Sequence, residues 1–328
     1  MHQNIQNLVA VASKQERIII GLMSGTSMDG LDIALCAISG AGKETCFELK
    51  AFTTVDYTAV FKEKILSVFS KEMVALETLT LLNAWIGQQH GNMILSALAS
   101  WHITPAQVDM IASHGQTIYH APKSLHPNSE YGPATLQIGD GDHIAVTTGI
   151  LTLSDFRQKH VAAGGEGAPL AVYGDYLLCS HPTENRLLLN MGGIANFTYL
   201  SAGCSLDQVF STDTGTGNTL MDAYTRTYFA PLAYDKGGEI AASGKINPHL
   251  LAALKAHSFF ALDLPKTIGP ELFNLEFLVK AQTESQTLDL FPADVMATLN
   301  RFSAETIADC IHSSLAPGTL FNMYSSGG

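Results

Sequence analysis

Residues 18–36 read IIIGLMSGTSMDGLDIALC. Two apolar, strand-like runs, 18–22 and 31–36, flank a turn of small and polar residues: Ser24, Gly25, Thr26, Ser27, Asp29 and Gly30. A turn of that composition brings backbone N–H groups and hydroxyls up to an anion without steric hindrance. Asp29 and Asp32 do not suit a bare anion pocket, because carboxylates repel phosphate. They suit one in which a hard divalent cation such as Mg2+ lies between carboxylate and phosphate. Taken alone, the segment reads equally well as an ordinary β-hairpin with a long polar turn.

Working outward, a third strand is expected over 46–53, entered through the turn Gly40-Ala41-Gly42-Lys43. Helical periodicity follows over 56–70 and 74–101, where Leu79, Leu82, Ile86 and then Ile94, Leu95, Leu98 recur at three- and four-residue steps. Short strands are expected at 110–113, 135–138 and 150–154, with a helix starting near Asp142. The second half restarts the pattern. A strand at 186–191 leads through Gly192-Gly193-Ile194-Ala195-Asn196 to a strand at 197–200, a short strand at 209–210 and a helix at 217–229. Both halves open with strand, glycine-rich turn, strand. That weak symmetry points to two α/β domains, 1–160 and 161–328, with the boundary near 155–170.

Composition narrows the function. The 328 residues are 46% hydrophobic, enough for a sizeable core, and carry a net charge of −12 with no Lys/Arg cluster. A nucleic-acid partner is therefore not expected. No apolar run approaches the length of a membrane span, and the N-terminal stretch lacks the charged and apolar regions of a signal peptide. Five scattered cysteines, Cys36, Cys46, Cys179, Cys204 and Cys310, read as free thiols in a reducing cytosol, so a cytoplasmic protein is expected.

Several familiar motifs fail. Gly40–Thr45 (GAGKET) would need Gly at 37 and Ser or Thr at 44 to be a P-loop, but the chain has Ala37 and Glu44. There is no G-x-G-x-x-G and no G-x-S-x-G, and the twelve histidines include no H-x-x-x-H pair. Four further segments join the 24–32 turn as candidates. Ser113-His114-Gly115-Gln116-Thr117 sits at the C-terminal end of an expected strand, where open α/β sheets contact ligands; a buried structural histidine is the alternative. Ser154-Asp155-Phe156-Arg157 runs into a glycine-rich stretch at 162–169, suited to a polar ligand and a mobile connection between domains, or to a structural Asp–Arg pair. Asn190 to Asn196 places adjacent glycines where a phosphate could approach the backbone, or forms a plain hairpin turn. Asp213-Thr214-Gly215-Thr216-Gly217-Asn218 precedes a helix whose N-terminus favours anions, and Asp213 reads either as a chemical group or as an N-cap. Together these fit two phosphate-binding hairpins in facing domains.

The segments GLMSGTSMDGLD, SHGQTI, LQIGDG, SDFRQKHVAAGGEGAPL, LLLNMGGIANFT and DTGTGNTLMDA, in this order, resemble the anhydro-N-acetylmuramic acid kinases from about Arg17 onward. The resemblance implies the sugar kinase/actin/chaperone ATPase superfamily: two ribonuclease-H-like (actin-like ATPase) domains around a nucleotide cleft. It makes residues 25–32 (Gly25, Thr26, Ser27, Met28, Asp29, Gly30, Leu31, Asp32) the first ATP phosphate loop and Asn190, Gly192, Gly193 and Asn196 part of the second. It further implies Asp213 as general base, Asp29 as the residue nearest Mg2+, and His114, Asp155, Arg157, Gly217 and Asn218 as sugar contacts. The implied reaction uses ATP and water to convert 1,6-anhydro-N-acetylmuramic acid to N-acetylmuramic acid 6-phosphate, in cell-wall recycling. The family continues past Gly328 with a stretch that carries much of the adenosine pocket and an acidic residue near the sugar. A conventional sugar kinase of the same fold and a nucleotide-binding protein without catalysis are the alternatives, and a homodimer is left open.

Overall fold

The computed structural model describes residues 3–25, 28–123, 126, 130–268 and 272–327. The chain divides into two compact units, Met1–Leu170 and Ala171–Gly328, so the glycine-rich stretch 162–169 belongs with the first.

In the first unit, α1 (Gln3–Ser13) leads into a meander of β1 (Glu16–Ser24), β2 (Gly30–Ser39) and β3 (Cys46–Asp56). In β2, Leu31, Ile33, Leu35 and Ala37 are buried at every second position, the period of a strand with one face on a core. The chain then crosses over through α2 (Ala59–Leu66) and α3 (Leu76–Ser100) to β4 (Met110–Ala121), which pairs parallel to β1. β5 (Ala134–Ile138) returns antiparallel to β4; α4 (Gly141–Thr148) follows, then β6 (Thr152–Leu153), parallel to β4, and α5 (Phe156–Ala162). The sheet order is β3-β2-β1-β4-β5.

Helix α3 covers this sheet with Leu82, Ile86, Ile94 and Leu98, all buried. Burying each is worth roughly 1.5–3 kcal/mol, more than helix propensity alone supplies. Its Gly87 and Gly91 let α4 approach closely. A β-carbon at Gly87 would stand 2.5 Å from the Asp140 carbonyl, and one at Gly91 2.7 Å from Thr147 Cβ. That contact fixes the Gly139–Asp140 turn at the edge of the candidate site.

The second unit contains α6 (Ala171–Cys179), β7 (Arg186–Met191), β8 (Ile194–Leu200), β9 (Phe210–Thr216) and α7 (Thr219–Tyr228). The short α8 (Glu239–Ser243), α9 (Pro248–Lys255), α10 (Leu275–Glu284), α11 (Pro292–Ser314) and β10 (Asn322–Ser326) follow. The sheet runs β10-β7-β8-β9, with β7, β8 and β9 antiparallel and β10 parallel to β7. A helical core around Phe259, Phe273, Leu278, Leu299 and Phe302 and a sheet core around Leu187, Phe197 and Ile311 complete it. Each unit thus holds an antiparallel meander whose first strand carries a parallel fourth strand on its other side, the ribonuclease-H-like arrangement expected above.

Three local expectations are corrected. The strand expected at 110–113 runs on to Ala121. Ile194, Ala195 and Asn196 belong to β8, so Gly192-Gly193 alone makes the hairpin turn. The strand expected at 209–210 extends to Thr216, and the helix after it starts at Thr219 with Asn218 as N-cap. Asp213 therefore lies within β9 and is no helix cap. Its neighbours Thr, Gly and Thr have the composition of a loop, but β8 pairs one edge of β9 while the Asp213 N–H donates to the Lys266 carbonyl at 2.9 Å on the other.

Candidate active site

The first turn joins β1 to β2, and its Thr26 and Ser27 lie outside the described residues. Gly25 opens it, and its carbonyl accepts from the Met28 N–H at 3.4 Å. Met28 has φ 54° and packs against the core. Asp29 is exposed and accepts from the Gly30 N–H at 3.0 Å, while its carbonyl accepts from the Tyr57 N–H at 2.9 Å. Gly30 and Leu31 are buried in β2 with the Leu31 side chain in the core. Asp32 accepts from Thr54 Oγ1 at 2.6 Å.

Beside Ser113 and His114, which lie within β4 and not at its end, a polar cavity of about 240 Å³ is lined by these two residues and Gly139, Asp140, Asp142 and Asp155, among others. His114 and Asp155 are thus brought together. His114 Nε2 accepts from Arg157 Nε at 2.9 Å, and its Nδ1 lies 2.8 Å from the Gly115 carbonyl. Arginine and carbonyl leave no choice of tautomer: Nδ1 carries the proton and donates. Burial, together with the Arg157 charge, holds the His114 pKa below the usual value, so the ring is neutral. Both its nitrogens are used within the protein, and what it offers is orientation of Arg157. The guanidinium also donates from Nη1 to the Gly167 carbonyl at 2.7 Å, and Nη2 makes no hydrogen bond among the described residues. Asp155 is held at φ 61°, an uncommon backbone for a non-glycine residue, and its side chain does not cap α5.

In the second unit the Gly192-Gly193 turn is gripped by the start of α7. Asn218 N–H donates to the Gly192 carbonyl at 2.9 Å; Gly217 and Thr219 N–H donate to that of Gly193 at 2.9 and 3.2 Å. Asn218 Nδ2 reaches the Met191 carbonyl at 3.2 Å. Gly217 has no room for a side chain, since a β-carbon there would lie 2.2 Å from the Gly192 carbonyl oxygen. Asn190 pairs with Asn196 across β7 and β8, and Asn196 in turn with Asp213. Next to that pair β9 bulges at Thr214, whose hydroxyl donates to the Ala195 carbonyl at 3.0 Å. Bulges of this kind re-aim neighbouring side chains.

The Asp213 carboxylate accepts from the Ile268 N–H at 2.8 Å and from the Thr267 hydroxyl. Burial pushes its pKa up to about 6 against the lowering effect of those two donors. The donors arrive on a segment anchored by Lys266, whose ammonium donates to the Phe259 carbonyl at 3.1 Å and lies 4.6 Å from that ring's centre. Sequence reasoning missed Thr267 and Ile268. They stand more than fifty positions from Asp213 and carry no local motif. It also left Asp140 and Asp142 out of the site, although the LQIGDG motif contains Asp140.

No group of three His, Cys, Asp or Glu among the described residues could cage a metal ion. Mg2+ bound with phosphates keeps several waters and needs only one or two carboxylates, a donor set that the exposed Asp29 fits. No helix among the described residues is long and apolar enough to cross a membrane, and no disulfide joins any of the five cysteines.

Two ribonuclease-H-like units, each with a hairpin ending in a small-residue turn, define a protein of the sugar kinase/actin/chaperone ATPase superfamily. Residues 17–328 match the family described as anhydro-N-acetylmuramic acid kinase. The anhydro-N-acetylmuramic acid kinase of Pseudoalteromonas atlantica is 57% identical over 328 residues, covering 100% of this chain and 82% of that protein. The namesake from Caldanaerobacter subterraneus is 37% identical over 304 residues, covering 92% and 77%. The chain belongs to the anhydro-N-acetylmuramic acid kinase family. Among solved structures, a ROK family glucokinase from Streptomyces griseus in complex with glucose and AMPPNP aligns over 95% of this chain and 83% of that one. With 13% identity and a TM-score of 0.33, that likeness carries no weight.

Proposed function

We propose that this enzyme uses ATP and water to open 1,6-anhydro-N-acetylmuramic acid and phosphorylate its O6, giving N-acetylmuramic acid 6-phosphate for cell-wall recycling. Family membership supports the substrate, and the half-buried carboxylate of Asp213 carries the chemistry. With a pKa near 6, about nine in ten such groups are ionised at pH 7, yet each remains basic enough to take a proton.

Asp213 removes a proton from water as its oxygen attacks the anomeric carbon. The C1–O6 bond breaks, O6 attacks the γ-phosphorus, and ADP leaves. Atoms balance with one proton released. The Ile268 N–H and Thr267 hydroxyl hold the carboxylate in one orientation, so the base needs no reorganisation during the step. Arg157, fixed by His114 and Gly167, suits the lactyl carboxylate, and Asp155, in the cavity that His114 also lines, suits the sugar hydroxyls. Gly217 and Asn218 brace the Gly192-Gly193 turn as the second phosphate loop, next to Asn190 and Asn196; residues 25–32 form the first. Asp29 would hold Mg2+ through water, where the ion neutralises phosphate charge.

A conventional sugar kinase would deprotonate a sugar hydroxyl instead of water. Turnover in 18O-labelled water separates the two. Label at the anomeric carbon, with none in the transferred phosphate, is the expected result; an unlabelled sugar would refute the hydrolytic step.

A further inference from the structure

Beneath the first turn lies a chain of buried polar side chains that the chemistry above does not use. Gln116 on β4 donates from Nε2 to the carbonyls of Gly25 and Thr117, each at 3.2 Å. Its Oε1 is bonded to Ser24 Oγ, which lies 2.7 Å from the Tyr57 hydroxyl, and that hydroxyl lies 2.8 Å from His90 Nε2 on α3. All four side chains are buried, and His90 Nδ1 has no hydrogen-bond partner among the described residues.

The proton order of this chain follows from its first link. Carbonyl oxygens only accept, so the Gln116 amide nitrogen must face Gly25 and Thr117, which leaves Oε1 facing Ser24 as an acceptor. Ser24 then donates to Gln116 and accepts from Tyr57, and Tyr57 accepts from His90. The His90 proton is therefore on Nε2, and Nδ1 is a bare acceptor. The opposite tautomer would leave a buried N–H unpaired and break the chain in the middle, costing more than one idle lone pair. Burial also pushes the His90 pKa down to about 3, so the ring stays neutral.

Tyr57 holds the turn at both flanks. Its backbone N–H binds the Asp29 carbonyl, and its hydroxyl, through Ser24 and Gln116, sets the Gly25 carbonyl. We propose that Tyr57, acting through this chain, is the positioning residue of the first phosphate loop, and that His90 is its fixed terminal donor. The proposal rests on reading residues 25–32 as that loop.

The test is Tyr57→Phe in the full chain. The ring stacks on Phe61 with centroids 4.0 Å apart, and Phe keeps that contact while removing only the hydroxyl. Displacing a loop that positions a reacting group by about 1 Å can cost on the order of a hundredfold, so kcat/KM for ATP should fall roughly ten- to a hundredfold. The KM for the sugar should hold. Ser24→Ala, which cuts the chain at the next link, should reproduce the effect and serves if Tyr57→Phe does not fold. Nitrogen-15 shifts should show the Nε2-protonated, neutral form of His90 in the native protein. A variant with lowered stability but unchanged kcat/KM for ATP would reduce Tyr57 to a packing residue, and an Nδ1-protonated His90 would overturn the proton order. Asp29→Asn, measured alongside, tells which idea has failed. If it impairs ATP use while Tyr57→Phe does not, the positioning role alone is wrong. If neither does, the loop assignment falls with it.

Discussion

Replacing Asp213 with asparagine should cut turnover steeply and stabilise the protein, and the second effect should depend on pH. Burial raises the carboxyl from its ordinary 3.8 to about 6. Between those values the folded state holds a proton that the unfolded state has released, so stability contributed by this group falls as pH rises through that window. Each pH unit of displacement is about 1.4 kcal/mol, so the ionised form costs the folded state about 3 kcal/mol above pH 7 and about half of that at pH 5. Asparagine removes that cost and still accepts the Ile268 N–H. In urea unfolding, the advantage of Asp213→Asn over the native protein should shrink by roughly half between pH 7.5 and pH 5, because every other group titrates alike in both. Its turnover should drop by roughly 10²–10⁴-fold, the usual range for a lost general base. The native enzyme's kcat should decline about tenfold per unit below pH 6, as the base becomes protonated. An Asp213→Asn difference that does not change with pH, or a native rate that stays flat down to pH 5, would refute the assignment of a half-buried, elevated base.

Two further outcomes are expected. Asp29→Asn should raise the Mg2+ concentration needed for half-maximal turnover several-fold, with excess Mg2+ restoring most of the rate; an unchanged Mg2+ dependence would return Asp29 to the status of a polar turn residue. Gly217→Ala drives a β-carbon to 2.2 Å from the Gly192 carbonyl oxygen, so it should destabilise the second unit by about 1–3 kcal/mol and raise the KM for ATP, seen by denaturation and steady-state kinetics. Normal stability with a normal KM would mean that the turn yields freely and that its geometry does not matter.

The hairpins, the helices over 59–66 and 76–100, and the doubled strand–turn–strand pattern were legible because they rest on local periodicity. Alternating apolar residues define β2, and three- and four-residue spacing defines α3. His114, Asp155 and Arg157 also stood out, as polar residues near expected strand ends, although β4 runs on past His114 to Ala121. What remained hidden depends on contacts between distant segments. β9 looked like a loop because Asp213 and Gly215 are poor strand residues and no apolar alternation runs through it; β8 and the Lys266 segment satisfy its backbone from two sides and hold it as a strand. That misreading kept an N-cap open as the alternative for Asp213, whereas its pKa near 6 arises from burial beside Ile268 and Thr267, residues that no short-range pattern connects to it. The chain from Gln116 to His90 was equally invisible. Its members come from β1, β3's exit, α3 and β4, and a buried tyrosine or histidine reads in sequence as ordinary core. Sequence determines which faces of each element are apolar, and hence the fold. Packing alone decides which polar groups are taken out of water together, and that burial is what raises the Asp213 carboxyl and ties Tyr57 to Ser24 and His90.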